Sequence, residues 1–223
     1  GYSTIFGMIN SVGQPVFREA SEDTQRLQNI FRKLMRFTAF VSFPAMLGLA
    51  IVSQELIVIS ITEKWLPCVP VMQILCVWGA FMPISTLYSN LMNSIGRPNI
   101  YMWNTIALGI FQLLCVWGSY PYGLNVMLIV YTAANIFWLL IWHYFAHKHI
   151  GISLFNTLKD IAPYLIISVA VMTFTYWVAG YVKNIYLSLL VKVALAASLY
   201  IFLMWSLKSI VFRESLQYLL KKK

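Results

Sequence analysis

Pro98–His147, PNIYMWNTIALGIFQLLCVWGSYPYGLNVMLIVYTAANIFWLLIWHYFAH, runs for fifty residues without one Asp, Glu, Lys or Arg. A chain exposed to water over that length would carry charge, and a soluble amphipathic helix would show it on one face. Neither pattern is present. In the middle, Gly118-Ser119-Tyr120-Pro121-Tyr122-Gly123 combines helix-breaking Gly and Pro with tyrosines suited to a membrane interface. The stretch reads as two membrane-spanning helices joined in a tight hairpin, each near the roughly 20 residues that cross hydrocarbon.

The same absence of charge recurs from Trp65 to Gly96 and from Ile161 to Val182. Of the 223 residues, 60% are hydrophobic and 10% charged, against roughly 45–50% and about 25% in an ordinary soluble domain. Gaps and turn residues together predict an all-α, polytopic helical bundle of six spans. They lie near Phe37–Ser53, Val71–Ile95, Ile100–Gly118, Leu124–Phe145, Ile161–Tyr181 and Ile185–Leu207. Cys68, Cys76 and Cys115 are odd in number and lie in or beside apolar runs without metal-ligand spacing, so free thiols are expected.

The basic residues orient the bundle, because cytoplasmic loops keep Lys and Arg during insertion. On one side fall Arg18, Arg26, Arg32, Lys33, Arg36, Arg97, Lys148, Lys159, Lys208, Arg213, Lys221, Lys222 and Lys223; on the other only Lys64, Lys183 and Lys192. A miscounted span would scramble this thirteen-to-three split. It predicts a multi-pass membrane protein with both ends of the segment in the cytoplasm. The net charge of +9 is thereby assigned to the membrane surface and not to nucleic acid.

Residues 1–15, GYSTIFGMINSVGQP, are apolar but too short to span and read as the end of a truncated span. The chain is accordingly expected to be the C-terminal part of a longer protein. Residues 16–36 read as a cytoplasmic amphipathic connector helix. Its apolar side carries Leu27, Ile30, Phe31 and Leu34, its cap is Ser21, its first turn holds Glu22 and Asp23, and basic residues fill its last turn. The six-span lobe then occupies 37–207. A basic tail, 208–223, carries Leu216, Tyr218, Leu219 and Leu220 among its lysines and suits anionic lipid.

Catalytic groups are scarce. Aspartate occurs only at Asp23 and Asp160, both beside membrane boundaries, and no GxSxG, HExxH, P-loop or dinucleotide fingerprint appears. His143 and His147 are four apart, a spacing able to chelate, yet no carboxylate or cysteine accompanies them, so no metal and no cofactor are expected. The chain therefore reads as a non-enzyme.

What the spans do hold is neutral polarity: Gln73, Asn90 and Asn93, then Asn104 and Gln112, then Asn135. Amides avoid lipid, so they face either neighbouring helices or a hydrated path. Asn90 and Asn93 share a helix face and are the preferred candidates for a substrate path, followed by Asn104, Gln112 and Asn135. Glu55, at the outer end of the first span, and Lys192, about 10 Å into the last, read either as interface anchors or as contacts for an ion or substrate. Pro44, Pro83 and Pro163 bend their helices.

Five short motifs in fixed order add a resemblance. Pro15-Val16-Phe17, the stretch through Asp23, Arg26 and Leu27, Phe43-Pro44-Ala45-Met46-Leu47-Gly48-Leu49, Glu63-Lys64-Trp65 and Gly96-Arg97-Pro98 together resemble the polysaccharide transporter family. That family includes the Wzx-type flippases of the multidrug, oligosaccharidyl-lipid and polysaccharide exporter superfamily. Thr62 departs from it, standing where the family usually has Gly. The resemblance implies a transporter of about fourteen spans in two lobes, of which this chain is the C-terminal half.

The implied cargo is an undecaprenyl-diphosphate-linked oligosaccharide, flipped by alternating access for capsule, O-antigen or exopolysaccharide assembly. H+ or Na+ coupling, and partnership with a polysaccharide polymerase and glycosyltransferases, are implied with it. A diphosphate calls for cations, of which this half holds few inside the membrane, so the principal anion site is expected in the missing half, with Lys192 the only internal candidate here. Two rivals remain from the residues themselves. One is a drug or small-molecule antiporter of the same superfamily, which would place acidic groups within its spans; the other is a non-enzymatic membrane scaffold of envelope polysaccharide assembly.

Overall fold

In a computed structural model of the chain, describing residues 17–18, 23–182 and 184–206, all regular structure is helical. The elements are α1 (Thr24–Ile51), α2 (Ser53–Ser60), a 3-10 turn (Glu63–Cys68), α3 (Val69–Ser94), α4 (Pro98–Ser119), a second 3-10 turn (Tyr120–Tyr122), α5 (Leu124–Ile150), α6 (Leu154–Ala179) and α7 (Ile185–Ser206). All but α2 are long and apolar enough to cross a membrane, which makes six. The expectations for residues 1–15, for Ser21 and Glu22, for Lys183 and for the tail 208–223 fall outside the described residues.

The helices overrun the spans read from charge gaps. The segment taken as a connector runs without a break into the first span, and α1 has 28 residues, about 42 Å at the helical rise. That exceeds the roughly 30 Å of a hydrocarbon core, so Arg26, Arg32, Lys33 and Arg36 ride on its polar end. Asp23 is the N-cap of α1, its carboxylate accepting from the backbone N–H of Gln25 (2.9 Å) and Arg26 (3.1 Å). Since α1 continues to Ile51, those basic residues are not in its last turn, and the dipole argument for them lapses. α5 and α6 likewise extend to Ile150 and back to Leu154, meeting at Gly151. Its φ of 70° is a left-handed turn that a side chain would strain.

Neighbours in space follow the order α4, α5, α3, α1, α6, α7, which puts α1 at the centre of the lobe and α4 at its edge. Small residues permit the close approaches. A methyl added at Gly79 of α3 would sit 3.2 Å from Met46 Sδ on α1, and the Ser42 hydroxyl of α1 donates to the Ala80 carbonyl of α3 at 2.6 Å. At the Lys/Arg-rich end, rings link three helices. Phe17 stacks obliquely on Phe31 of α1, which meets Tyr88 of α3, which meets the His143 ring of α5.

Pro44 stays within α1, but having no N–H it leaves the carbonyl of Phe40, one turn earlier, without its helical donor. The Tyr200 hydroxyl of α7 donates to that carbonyl at 2.8 Å. Replacing Tyr200 by Phe should therefore destabilise the bundle by about 1 kcal/mol. In a Pro44→Ala background, where an N–H again faces Phe40, the loss should shrink. Reversible unfolding in mixed micelles reads both, and equal losses in the two backgrounds would refute the assignment.

Candidate functional site

A polar interior region lies where α1 stops. At Val52 (φ −97°, ψ 1°) the helix turns out of register before α2 begins, so carbonyls at the end of α1 lack their ordinary donors. Side chains from three elements take them. Ser53 Oγ (2.8 Å) and Gln73 Nε2 of α3 (3.4 Å) donate to the Ala50 carbonyl, and Lys192 Nζ of α7 donates to the Ile51 carbonyl at 2.9 Å.

Lys192 Nζ also meets Glu55 Oε1 at 2.5 Å, and the Ser188 hydroxyl donates to the same oxygen at 2.8 Å. The ring of Tyr176, on α6, lies 5.4 Å from the ammonium. Both charged side chains are buried, 6% exposed for Lys192 and 8% for Glu55, so Lys192 does not snorkel outward in this arrangement. Glu55 Oε2 is buried and has no partner among the described residues. Beside the pair opens a cavity of about 360 Å³ lined by Gln54, Glu55, Tyr176, Ser188 and Lys192 with neighbouring α6 and α7 backbone. Sequence reading singled out Glu55 and Lys192 separately; the structure brings them together. Opposite charges at the same end of two spans were the available signal.

The amides are distributed differently. Gln112 Nε2 of α4 donates to Asn135 Oδ1 of α5 at 2.8 Å, Asn135 Nδ2 donates to its own helix at Tyr131 O, and the Trp138 indole of α5 donates to Asn104 Oδ1 of α4 at 2.6 Å. The Gln112–Asn135 and Trp138–Asn104 bonds staple the hairpin across its interface. Asn90 is buried and Asn93 half-buried near the end of α3, where their carbonyls accept from Ser94 Oγ and from the Gly96 N–H. They lie far along the helix from the Glu55–Lys192 pair, toward the opposite end of the bundle.

At that basic end a second charge pair, unforeseen from the sequence, joins α1 to α6. Arg32 binds Asp160 through both carboxylate oxygens, Nε to Oδ2 at 2.6 Å and Nη2 to Oδ1 at 3.1 Å, with Arg36 Nε 3.9 Å away. Gln28 donates to the Ile150 carbonyl beside it. An aspartate at the edge of a span, on the side where the cations gather, was the clue. The three histidines separate by role: His143 Nδ1 pairs with the Tyr88 hydroxyl (3.1 Å), His147 Nδ1 with the Ile152 carbonyl and His149 Nδ1 with the Phe145 carbonyl. The three cysteines are free.

A buried ion pair is lost most expensively by halves, because one unpaired charge stays behind. Glu55→Leu should destabilise the protein by roughly 3–5 kcal/mol, and Glu55→Leu with Lys192→Met should recover most of that loss in the same unfolding assay. A double variant no more stable than the single one would show that the two groups do not act as a pair.

Residues 2–70, a segment that takes in α1, the Val52 break and α2, match a family described as polysaccharide biosynthesis protein. Three curated proteins are similar to part of the chain. An uncharacterized membrane protein in the cps region of Klebsiella pneumoniae is 30% identical over 110 residues, 49% of this chain and 23% of that protein. The lipopolysaccharide biosynthesis protein WzxC of Escherichia coli K12 is 31% identical over 105 residues, 47% of this chain and 21% of its own length. The teichuronic acid biosynthesis protein TuaB of Bacillus subtilis 168 is 25% identical over 105 residues, 47% and 22% of the two. No solved structure matches the chain. The matched stretches thus cover under a quarter of each relative's own length. The matched family segment and these relatives agree with the resemblance to the polysaccharide transporter family that the motif order between Pro15 and Pro98 carries.

Proposed function

We propose that this chain works as one lobe of a larger, about fourteen-span transporter that moves a lipid-linked oligosaccharide across the bacterial inner membrane for capsule, O-antigen or exopolysaccharide assembly. The observation that carries the reading is the match of residues 2–70 to a polysaccharide biosynthesis family, joined to relatives named for lipopolysaccharide and teichuronic acid biosynthesis. Polymers so different in chemistry share one physical problem. A glycan built on lipid inside the cell must cross hydrocarbon that offers its hydroxyls no hydrogen bonds. A multi-pass helical protein with polar groups between its spans answers that problem, and a non-enzymatic one suffices.

The architecture supports alternating access. Discontinuous helices beside a polar cavity are the usual binding elements of secondary transporters, and α1–α2 is interrupted at Val52 with Gln54 and Glu55 of α2 lining such a cavity. In this reading the lobe rocks against its counterpart, the lipid tail stays in the bilayer and the glycan passes in water. Asn90 and Asn93 are the preferred glycan contacts, the basic end faces the cytoplasm, and the polymerase and glycosyltransferases of the same pathway are its partners.

Deleting the gene in its host should abolish surface polysaccharide and leave the lipid-linked precursor facing the cytoplasm, with restoration by the intact gene; surface polymer that persists unchanged would defeat the proposal. Asn90→Leu with Asn93→Leu should lower export about tenfold, the worth of one or two hydrogen bonds to substrate, at normal protein abundance. Orientation has its own measurement. Lys148 is exposed at the basic end, so a cysteine introduced by Lys148→Cys should react with an impermeant maleimide in inverted vesicles and stay unlabelled in intact cells.

A further inference from the structure

We infer that the end of α1 is a monovalent-cation site whose occupant is the chain's own Lys192 ammonium, a tethered replacement for a free sodium- or potassium-sized ion. The inference concerns what this chain binds and stands apart from the glycan reading.

The donor set carries it. Around Lys192 Nζ stand the Ile51 carbonyl at 2.9 Å and Glu55 Oε1 at 2.5 Å, with the Ser188 hydroxyl oxygen hydrogen-bonded to that same carboxylate. These are hard oxygen ligands of the kinds that hold alkali ions wherever helices are interrupted within membranes. The Ile51 carbonyl lies at the C-terminal end of α1, the negative end of its dipole. Tyr176 adds an electron-rich ring face.

A second observation points the same way. Glu55 Oε2 is buried and unpartnered among the described residues, so the carboxylate offers one more lone-pair site than the ammonium uses. A spherical ion ligated by both carboxylate oxygens would use it. The cavity of about 360 Å³ beside the pair gives water and ions a route in once the lysine stem is shortened.

Occupation by Lys192 excludes a free ion, because two unit charges a few ångströms apart in a buried site repel strongly. A covalent cation also moves with α7, so the site supplies its positive charge at every stage of any conformational cycle, whatever the salt outside. Any free coupling ion then binds elsewhere in the protein.

Thermal unfolding of the full-length protein in lipid nanodiscs, in NaCl, KCl and choline chloride at equal ionic strength, decides the matter. The native protein should unfold at the same Tm in all three. Lys192→Met should be destabilised in choline chloride and recover on the order of 5 °C in NaCl or KCl, saturably with ion concentration. Adding Glu55→Gln to Lys192→Met should remove the difference between salts. A Lys192→Met protein that is equally stable in the three salts, or that fails to fold in any of them, overturns the inference, since a returning ion should replace the lost ammonium. Sodium-specific stabilisation of the native protein that disappears with Glu55→Gln overturns it as well, because a free ion would then already use the site.

Discussion

Hydrocarbon accepts no hydrogen bonds, so each interruption of a spanning helix has to be closed by a side chain from somewhere else in the protein. α1 is interrupted twice, at Pro44 and at Val52, and each opening is filled from α7. Tyr200 reaches the Phe40 carbonyl and Lys192 the Ile51 carbonyl. The two residues are eight apart on α7 and the two carbonyls eleven apart on α1, about 12 and 16.5 Å of helical rise, a difference that the long lysine side chain spans. Bends in one helix thereby specify how another must lie against it. Breaks in α1 that would be liabilities in isolation become the contacts that position the last span.

Charge follows the same rule at both ends of the bundle. The Arg32–Asp160 pair ties α1 to α6 where the basic residues gather, and the Glu55–Lys192 pair ties α2 to α7 at the opposite end. The first is bidentate and partly exposed, the second nearly closed off. Between them the cores of α1, α3 and α6 pack through Phe31, Met35, Phe43, Leu87 and Met172, which carry no directional demand. Directional contacts at the ends with adaptable packing between them suit a body that moves as a unit against a partner, because the ends fix which helices travel together.

Much of this architecture was legible from composition, for a physical reason. Span number and order depend only on where charge is absent, and the fifty uncharged residues from Pro98 to His147 could be read in no other way. Helix ends were less legible. Charge gaps report the edge of the hydrocarbon, whereas backbone hydrogen bonding carries α1 through Arg26 to Arg36 and starts α6 seven residues before Ile161. The site was legible by residue type but not by partner. Asn104, Gln112, Asn135, Glu55 and Lys192 were all identifiable as polar groups in apolar surroundings. Which of them meet depends on the spatial order α4, α5, α3, α1, α6, α7, and chain order does not disclose that.

That pairing changes what Lys192 can do for an anionic cargo. An unpaired lysine inside the membrane could receive a diphosphate, and the sequence leaves that reading of Lys192 open beside an interface anchor. In the structure its ammonium is shared between a carboxylate, a carbonyl and an aromatic face, and an incoming anion would have to displace Glu55. Displacement leaves a buried carboxylate with only Ser188 as donor, a state disfavoured by several kcal/mol on the usual scale for half-broken buried pairs. A diphosphate already solvated by water and countercations gains too little from one ammonium to offset that. The Lys192 ammonium is therefore committed to the chain's own helices, held by Glu55 and the Ile51 carbonyl.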